Sequence, residues 1–187
     1  MGMLWDPIRR LANLITTRHR FLMAVIVAGA FAAAACGSSL APAPDFQISL
    51  HQGEEILGAS QVSLSSLQGK PVVLNFWAGL CPPCRAEMPD LQEFHEEYQD
   101  QVYLIGVDLG SFFAGLGNKQ DGIELLKELE VTYPAGFTDD IKVVKNYGVL
   151  GMPSTIFITA DGKIFRKWTG LLNKEKLAEI SEKMLES

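Results

Sequence analysis

Two cysteines separated by two prolines, Cys81-Pro82-Pro83-Cys84, are the residues here whose types and spacing carry chemistry most directly. They follow an apolar, β-rich run at residues 71–77 (PVVLNFW). They also open a stretch in which Met88, Leu91, Phe94 and Tyr98 recur at helical spacing. A dithiol at a strand-to-helix junction suits thiol–disulfide exchange. The nucleophile is a thiolate, and a free thiol of pKa ~8.5 is only about 3% ionised at pH 7. Unpaired N–H groups and the helix dipole at a helix N-terminus stabilise that anion, and a pKa of ~7 raises the thiolate fraction to about half. Pro82 and Pro83 lack N–H groups, but first-turn donors have no intrahelical partner anyway. Cys81 is therefore expected as the exposed attacking sulfur, and Cys84, inside the first turn, as the one that resolves the mixed disulfide.

Other uses of the pair are poorly served. Zinc needs more ligands, and the chain has neither a second C-x-x-C nor a paired histidine motif. Two prolines at a helix start would be an odd way to build a purely structural disulfide. The third cysteine, Cys36, makes the number odd, so at least one sulfur lies outside any internal disulfide.

Cys36 ends a different kind of segment. Residues 21–35 (FLMAVIVAGAFAAAA) are apolar throughout and preceded by Arg9, Arg10, Arg18 and Arg20. As a helix they would span roughly 22 Å, short of a ~30 Å bilayer core, and basic residues before with small residues after make a secretory signal. Ala33-Ala34-Ala35-Cys36-Gly37 resembles the lipobox of bacterial lipoproteins, in which the cysteine sulfur receives a diacylglyceryl group and the chain is cut before it. The alternative is an uncleaved signal anchor at residues 1–35. Either places the globular part outside the cytoplasm and near a membrane. Residues 36–44, small and proline-containing, are expected as a flexible tether, and residues 45–187 as one domain. Of 16 basic and 22 acidic residues, the first 35 positions hold four arginines and Asp6, so the body is acidic. A nucleic-acid partner is disfavoured by that balance.

Several elements must position the dithiol. Residues 46–50, the turn-prone Gln52-Gly53 and the run at Ile56-Leu57 predict a small N-terminal hairpin. Residues 63–67 predict a helical turn capped by Ser63. Buried strands are expected at 71–77 and 102–107, and a helix from the C-x-x-C to about Tyr98. The glycine-rich stretch 110–122, with Phe112 and Phe113, reads as a long loop in which the phenylalanines either meet a partner or pack back on the body. Helices at 123–130 and 141–147 follow, then strands at 154–159 and 164–169 joined through Asp161-Gly162. Asn173 caps a last helix carrying Leu177, Ile180 and Met184 on one face. This order predicts an α/β fold with a mixed central sheet flanked by helices. His51 has no suggestive partner, and His95, among helix acids, is expected on the solvated surface.

The run PVVLNFWAGLCPPCRAEMP resembles the extracytoplasmic thioredoxin-like thiol–disulfide oxidoreductases of the TlpA, ResA and CcmG type in bacteria. YGVLGMPSTIFI and DGKI extend the likeness over nearly all of the chain after residue 45. The resemblance implies a thioredoxin-like fold, a redox-active Cys81–Cys84 pair with no cofactor or metal, and a cis-proline at Pro153. It implies that Met152, Pro153 and Trp77 bind substrate, with the Met152 backbone pairing with an extended chain. It also implies that Glu87, one turn beyond Cys84, is a semi-buried acid exchanging protons with the buried sulfur. Two positions depart from thioredoxin itself: Asn75 stands where it has a buried aspartate, and Leu80 where tryptophan usually precedes the first cysteine. The activity implied is reduction of disulfides in exported proteins, apocytochrome c among them, with electrons resupplied by a membrane donor. The rivals are a thiol oxidase or peroxidase, or a non-catalytic copper- or haem-binding module. The peroxidase lacks its threonine before a lone cysteine, and copper carriers of this fold use C-x-x-x-C.

Overall fold

The computed structural model describes residues 40–187. The signal segment and the lipidation candidate Cys36 lie outside the described residues. Seven strands, β1 (Gln47–Gln52), β2 (Gln61–Ser63), β3 (Val72–Trp77), β4 (Tyr103–Asp108), β5 (Ala135–Phe137), β6 (Ser154–Ile158) and β7 (Ile164–Thr169), form one sheet. Its order is β2-β1-β5-β4-β3-β6-β7. The pairs β3–β4 and β4–β5 are parallel, and β1–β2, β1–β5, β3–β6 and β6–β7 antiparallel. The helices are α1 (Glu54–Leu57), α2 (Pro82–Tyr98), α3 (Lys119–Glu128), α4 (Lys142–Tyr147) and α5 (Lys174–Leu185). Among the described residues no helix is long and apolar enough to cross a membrane.

All six residues of β3 are buried, as a strand covered on both faces requires. Alternation then divides its side chains. Val73 and Trp77 enter the core formed with α2, α3 and α5, where Leu91, Phe94, Leu125 and Leu177 meet. Val72, Leu74 and Phe76 enter the opposite core with Phe46, Val143 and Tyr147. Asn75 shares the first face and is a fully buried polar residue in the middle of the sheet.

The elements differ from the sequence reading in four places. The strand pairing with β1 is Gln61–Ser63; Ile56 and Leu57, expected as the return, lie instead in the single turn α1 between the left-handed glycines Gly53 and Gly58. The stretch 110–122 is not one loop. It makes a short 3₁₀ turn, Gly110–Phe112, and α3 already begins at Lys119, fixed by a capping box in which Asn118 and Asp121 satisfy each other's backbone N–H groups. β5 is a further strand for which the sequence reading has no counterpart. Residues 41–44, read as tether, are bound to the body: Ile164 N–H donates to the Ala41 carbonyl at 2.8 Å, and Ala43 N–H to Gly162 at 2.9 Å.

Candidate active site

The parallel strands β3 and β4 end together, Trp77 opposite Asp108, and Phe76 pairs antiparallel with Ser154 at the start of β6. This register brings the chain after β3, the chain after β4 and the turn before β6 to one edge of the sheet. Cys81 caps α2 with extended backbone, and its Sγ accepts the Cys84 N–H at 3.3 Å. Pro82 and Pro83 occupy the first helical positions, where no N–H is needed. Cys81 and Cys84 form a disulfide, with Cα atoms 5.3 Å apart.

Cys84 is fully buried, and Cys81 is only 3% exposed. The sulfur expected to be exposed is therefore covered in the oxidised pair, within the core that holds Trp77 and Ala78. Exposed beside the pair are Pro82, Pro83 and Leu80, the last 55% exposed where the usual tryptophan is absent.

Glu87 is fully buried on α2. Its Oε1 accepts from Asn75 Nδ2 at 2.8 Å and its Oε2 from the Leu172 N–H at 3.0 Å. Asn75 Nδ2 also donates to Thr155 Oγ1 at 3.0 Å, from the neighbouring strand. Burial pushes the Glu87 carboxyl from its ordinary 4.5 up to about 7; the Leu172 and Asn75 hydrogen bonds restrain the rise, and Asp90 adds to it. Asparagine in the strand and glutamate in the helix thus yield one ionisable group, poised near neutrality.

The Met152–Pro153 peptide bond is cis, and Met152 is half-buried while Pro153 is covered. Gly170 N–H donates to the Pro153 carbonyl at 2.9 Å, which ties the end of β7 to this turn. Leu172, two residues on, is the donor to Glu87. Leu150 and Leu171 flank these contacts and are exposed. Trp77, expected to touch substrate, is fully buried. Its indole Nε1 lies against Gly106 on β4, beside the Tyr133 ring, where any side chain at 106 would collide with it. Strand alternation turns Trp77 into the α2-side core, so it does not reach a substrate surface as expected.

His95, expected on the solvated surface, is buried as well. It is 5% exposed, edge-on to Tyr133 with ring centroids 6.2 Å apart. Its neighbours Glu93 and Glu97 face solvent and pair with Lys174. Burial lowers the His95 pKa, with Glu96 opposing and Lys70 adding to the effect. The signal was present in the sequence: Glu87, Leu91 and His95 are spaced by four, one row of a helix. His51 stacks on Phe137 at 5.1 Å, and Phe112 and Phe113 pack back onto the second core. Asp108, 4% exposed beside Trp77, was not singled out, although it stands at the end of the apolar run VYLIGV. Among the described residues no cluster of three or more His, Cys, Asp or Glu is placed to hold a metal ion.

A disulfide at a helix start, a cis-proline turn at the same edge of the sheet and a buried acid one turn behind define a thioredoxin-like thiol–disulfide oxidoreductase. The chain belongs to the AhpC/TSA family, whose model matches residues 40–167. It is 38% identical over 141 residues to the thiol-disulfide oxidoreductase ResA of Oceanobacillus iheyensis, covering 72% of this chain and 67% of that protein. It is 32% identical to ResA of Geobacillus thermodenitrificans, over 80% of this chain and 78% of that one. Among solved structures it is similar to the pneumococcal exposed lipoprotein thioredoxin Etrx1 of Streptococcus pneumoniae, with a TM-score of 0.61 and 28% identity, covering 74% of this chain and 99% of that one. The fold is also that of StoA from Bacillus subtilis, with a TM-score of 0.61 and 24% identity over 75% and 98% of the two chains.

Proposed function

We propose that this thiol–disulfide oxidoreductase is a reductase of exported proteins, held at the outer side of a bacterial membrane through lipid on Cys36. The observation that carries the reading is the Glu87 site: a buried carboxyl, one turn beyond Cys84, whose pKa of about 7 lets it take and return a proton near neutral pH. Starting from the dithiol, the Cys81 thiolate attacks one sulfur of a substrate disulfide. A bond forms between Cys81 and that sulfur, and the other substrate sulfur leaves as a thiolate that takes a proton from water. Ionised Glu87 then accepts the proton of the Cys84 thiol. The Cys84 thiolate attacks the Cys81 sulfur, closing the Cys81–Cys84 disulfide and expelling the second substrate sulfur as a thiolate, which takes a proton from water while Glu87 releases its own to solvent. Two electrons have passed from the pair to the substrate, and a membrane dithiol donor restores them by the same exchange in reverse.

Met152 offers its backbone beside Pro153 to an extended substrate strand. Leu80, Leu150 and Leu171 add an apolar rim, which suits an unfolded chain more than a charged peptide. Apocytochrome c, whose haem-attachment cysteines must be reduced, is the substrate class that the resemblance to the TlpA, ResA and CcmG type implies. The lipid anchor is supported by the alanine run before Cys36 and by the similarity to an exposed lipoprotein thioredoxin.

The reading is tested by trapping. Cys81→Ser should abolish disulfide reduction, whereas Cys84→Ser should accumulate a mixed disulfide with substrate through Cys81. Normal turnover by Cys84→Ser would remove the resolving role and the proton transfer with it. For the anchor, mass spectrometry of membrane-associated protein should show a diacylglyceryl-modified Cys36 at the N-terminus. An intact unmodified segment from Met1 through Cys36 would establish a signal anchor instead.

A further inference from the structure

Asp108 ends β4 in register with Trp77 and is a second buried carboxyl at the active-site edge. Its Oδ1 accepts the Gly110 N–H at 2.7 Å, while Oδ2 is buried without a partner among the described residues. Room for the carboxyl comes from Gly122 on α3, where a Cβ would overlap Oδ2 and lie 3.4 Å from the Trp77 ring.

From Gly110 a series of turn hydrogen bonds ties the segment back to the residue before Cys81. Phe113 N–H donates to the Gly110 carbonyl at 3.0 Å, Leu116 N–H to Phe113 at 3.2 Å, and Leu80 N–H to Leu116 at 2.9 Å. Leu80 is the residue before Cys81. These bonds tie the segment residue by residue through successive peptide units, and the first is the stronger for ending on an anion. A proton added at Asp108 reduces that first bond to an ordinary one.

We propose that Asp108 is a positioning residue for the exchange reaction: its carboxylate anchors the chain through Gly110, Phe113 and Leu116 that fixes Leu80 beside Cys81, and protonating it loosens that segment. The inference rests on thiol exchange at Cys81 and adds to it a second pH-dependent group. The charged surroundings are few. From α3, Asp121 faces the site, and Lys119 lies over the Phe137 ring of β5 while paired with Asp139. Trp77 to Leu80, and the segment from Leu109 to Gly117, contain no ionisable side chain. Burial raises the Asp108 carboxyl to about 6, the Gly110 bond restraining it and Asp121 adding to the rise, so loosening falls below neutral pH.

The test is amide hydrogen exchange of Leu80 and Gly110 in the oxidised protein between pH 5 and 8, corrected for intrinsic rates, with Val73 as the core reference. Leu80 protection should fall at least fivefold below pH 6 in the wild type. It should be independent of pH in Asp108→Asn, which keeps an acceptor for Gly110 without the charge. Asp108→Ala should lose it throughout. Because the oxidised protein is read without turnover, failure of the reductase reading would show separately, as an inactive wild type. Protection of Leu80 that does not change with pH in the wild type, or a pH step that survives in Asp108→Asn, overturns the proposal. Those two measurements decide it even where Asp108→Ala does not fold.

Discussion

On the side of the sheet away from α2, Tyr147 packs edge-on against Phe76 and Phe46, with ring centroids 5.3 and 5.7 Å apart, and its hydroxyl donates to the Pro44 carbonyl at 2.5 Å. On the α2 side, Trp77 Nε1, Tyr133 Oη and His95 Nδ1 are buried with no partner among the described residues, and Glu87 is a buried acid. Both cores are closed by similar aliphatic and aromatic residues, so hydrophobic burial supports each. The difference is in polar atoms. One core satisfies them, as folding alone would favour; the other carries unpaired donors and an ionisable carboxyl around the redox pair. The cost of function is concentrated in the second, and the first helps to offset it.

Glu87 should give the largest effect that separates the two. Its folded pKa of about 7 lies above its ordinary 4.5, so the stability it lends is fully present below pH 4.5 and lost as pH rises through about 7. A rise of that size corresponds to about 3 kcal/mol. Urea unfolding of the oxidised protein should show that decline, and Glu87→Gln should reduce it, leaving the part that belongs to Asp108, while slowing exchange and changing the pH profile of cysteine reactivity. An unchanged pH dependence in Glu87→Gln would place the ionisable cost elsewhere.

The two buried tyrosines sharpen the contrast at smaller scale. Tyr147→Phe should cost about 1 kcal/mol, because the Pro44 carbonyl loses its donor. Tyr133→Phe should be close to neutral in stability, since its hydroxyl leaves no partner behind. Equal losses in the two variants would erase the distinction between the cores.

The same comparison explains what could be read beforehand. The C-x-x-C, the strand feeding it and the helix behind it are contiguous, so their periodicities and the helix-start chemistry are local signals. Glu87 and Pro153 came from resemblance. Asn118 and Asp121 carried a capping signal three residues apart, and the glycines around them obscured it. β5 has three residues, Ala135–Phe137, and Gly136 is required there because β1 approaches so closely that a Cβ would meet the Ser49 and Leu50 backbone. No local pattern encodes that approach. The substrate role of Trp77 likewise came from resemblance, and β3, buried on both faces, leaves its side chain no way out. Tyr133 and Asp108 acquire meaning only from neighbours distant in sequence.

The central claim is the direction of electron flow. Oxidases draw their potential from a reduced form stabilised by a very low cysteine pKa, with DsbA near −120 mV and thioredoxin near −270 mV. For two electrons that interval is roughly 7 kcal/mol. Glu87, a carboxyl one turn beyond Cys84, opposes a strongly stabilised thiolate pair when ionised, and Pro83 directly before Cys84 matches the proline of reducing thioredoxins. Equilibrating the Cys81–Cys84 pair against glutathione and dithiothreitol buffers, followed by thiol trapping, should give a potential below about −200 mV. A value near −120 mV, with a Cys81 pKa far below neutrality, would contradict the reductase and establish an oxidase.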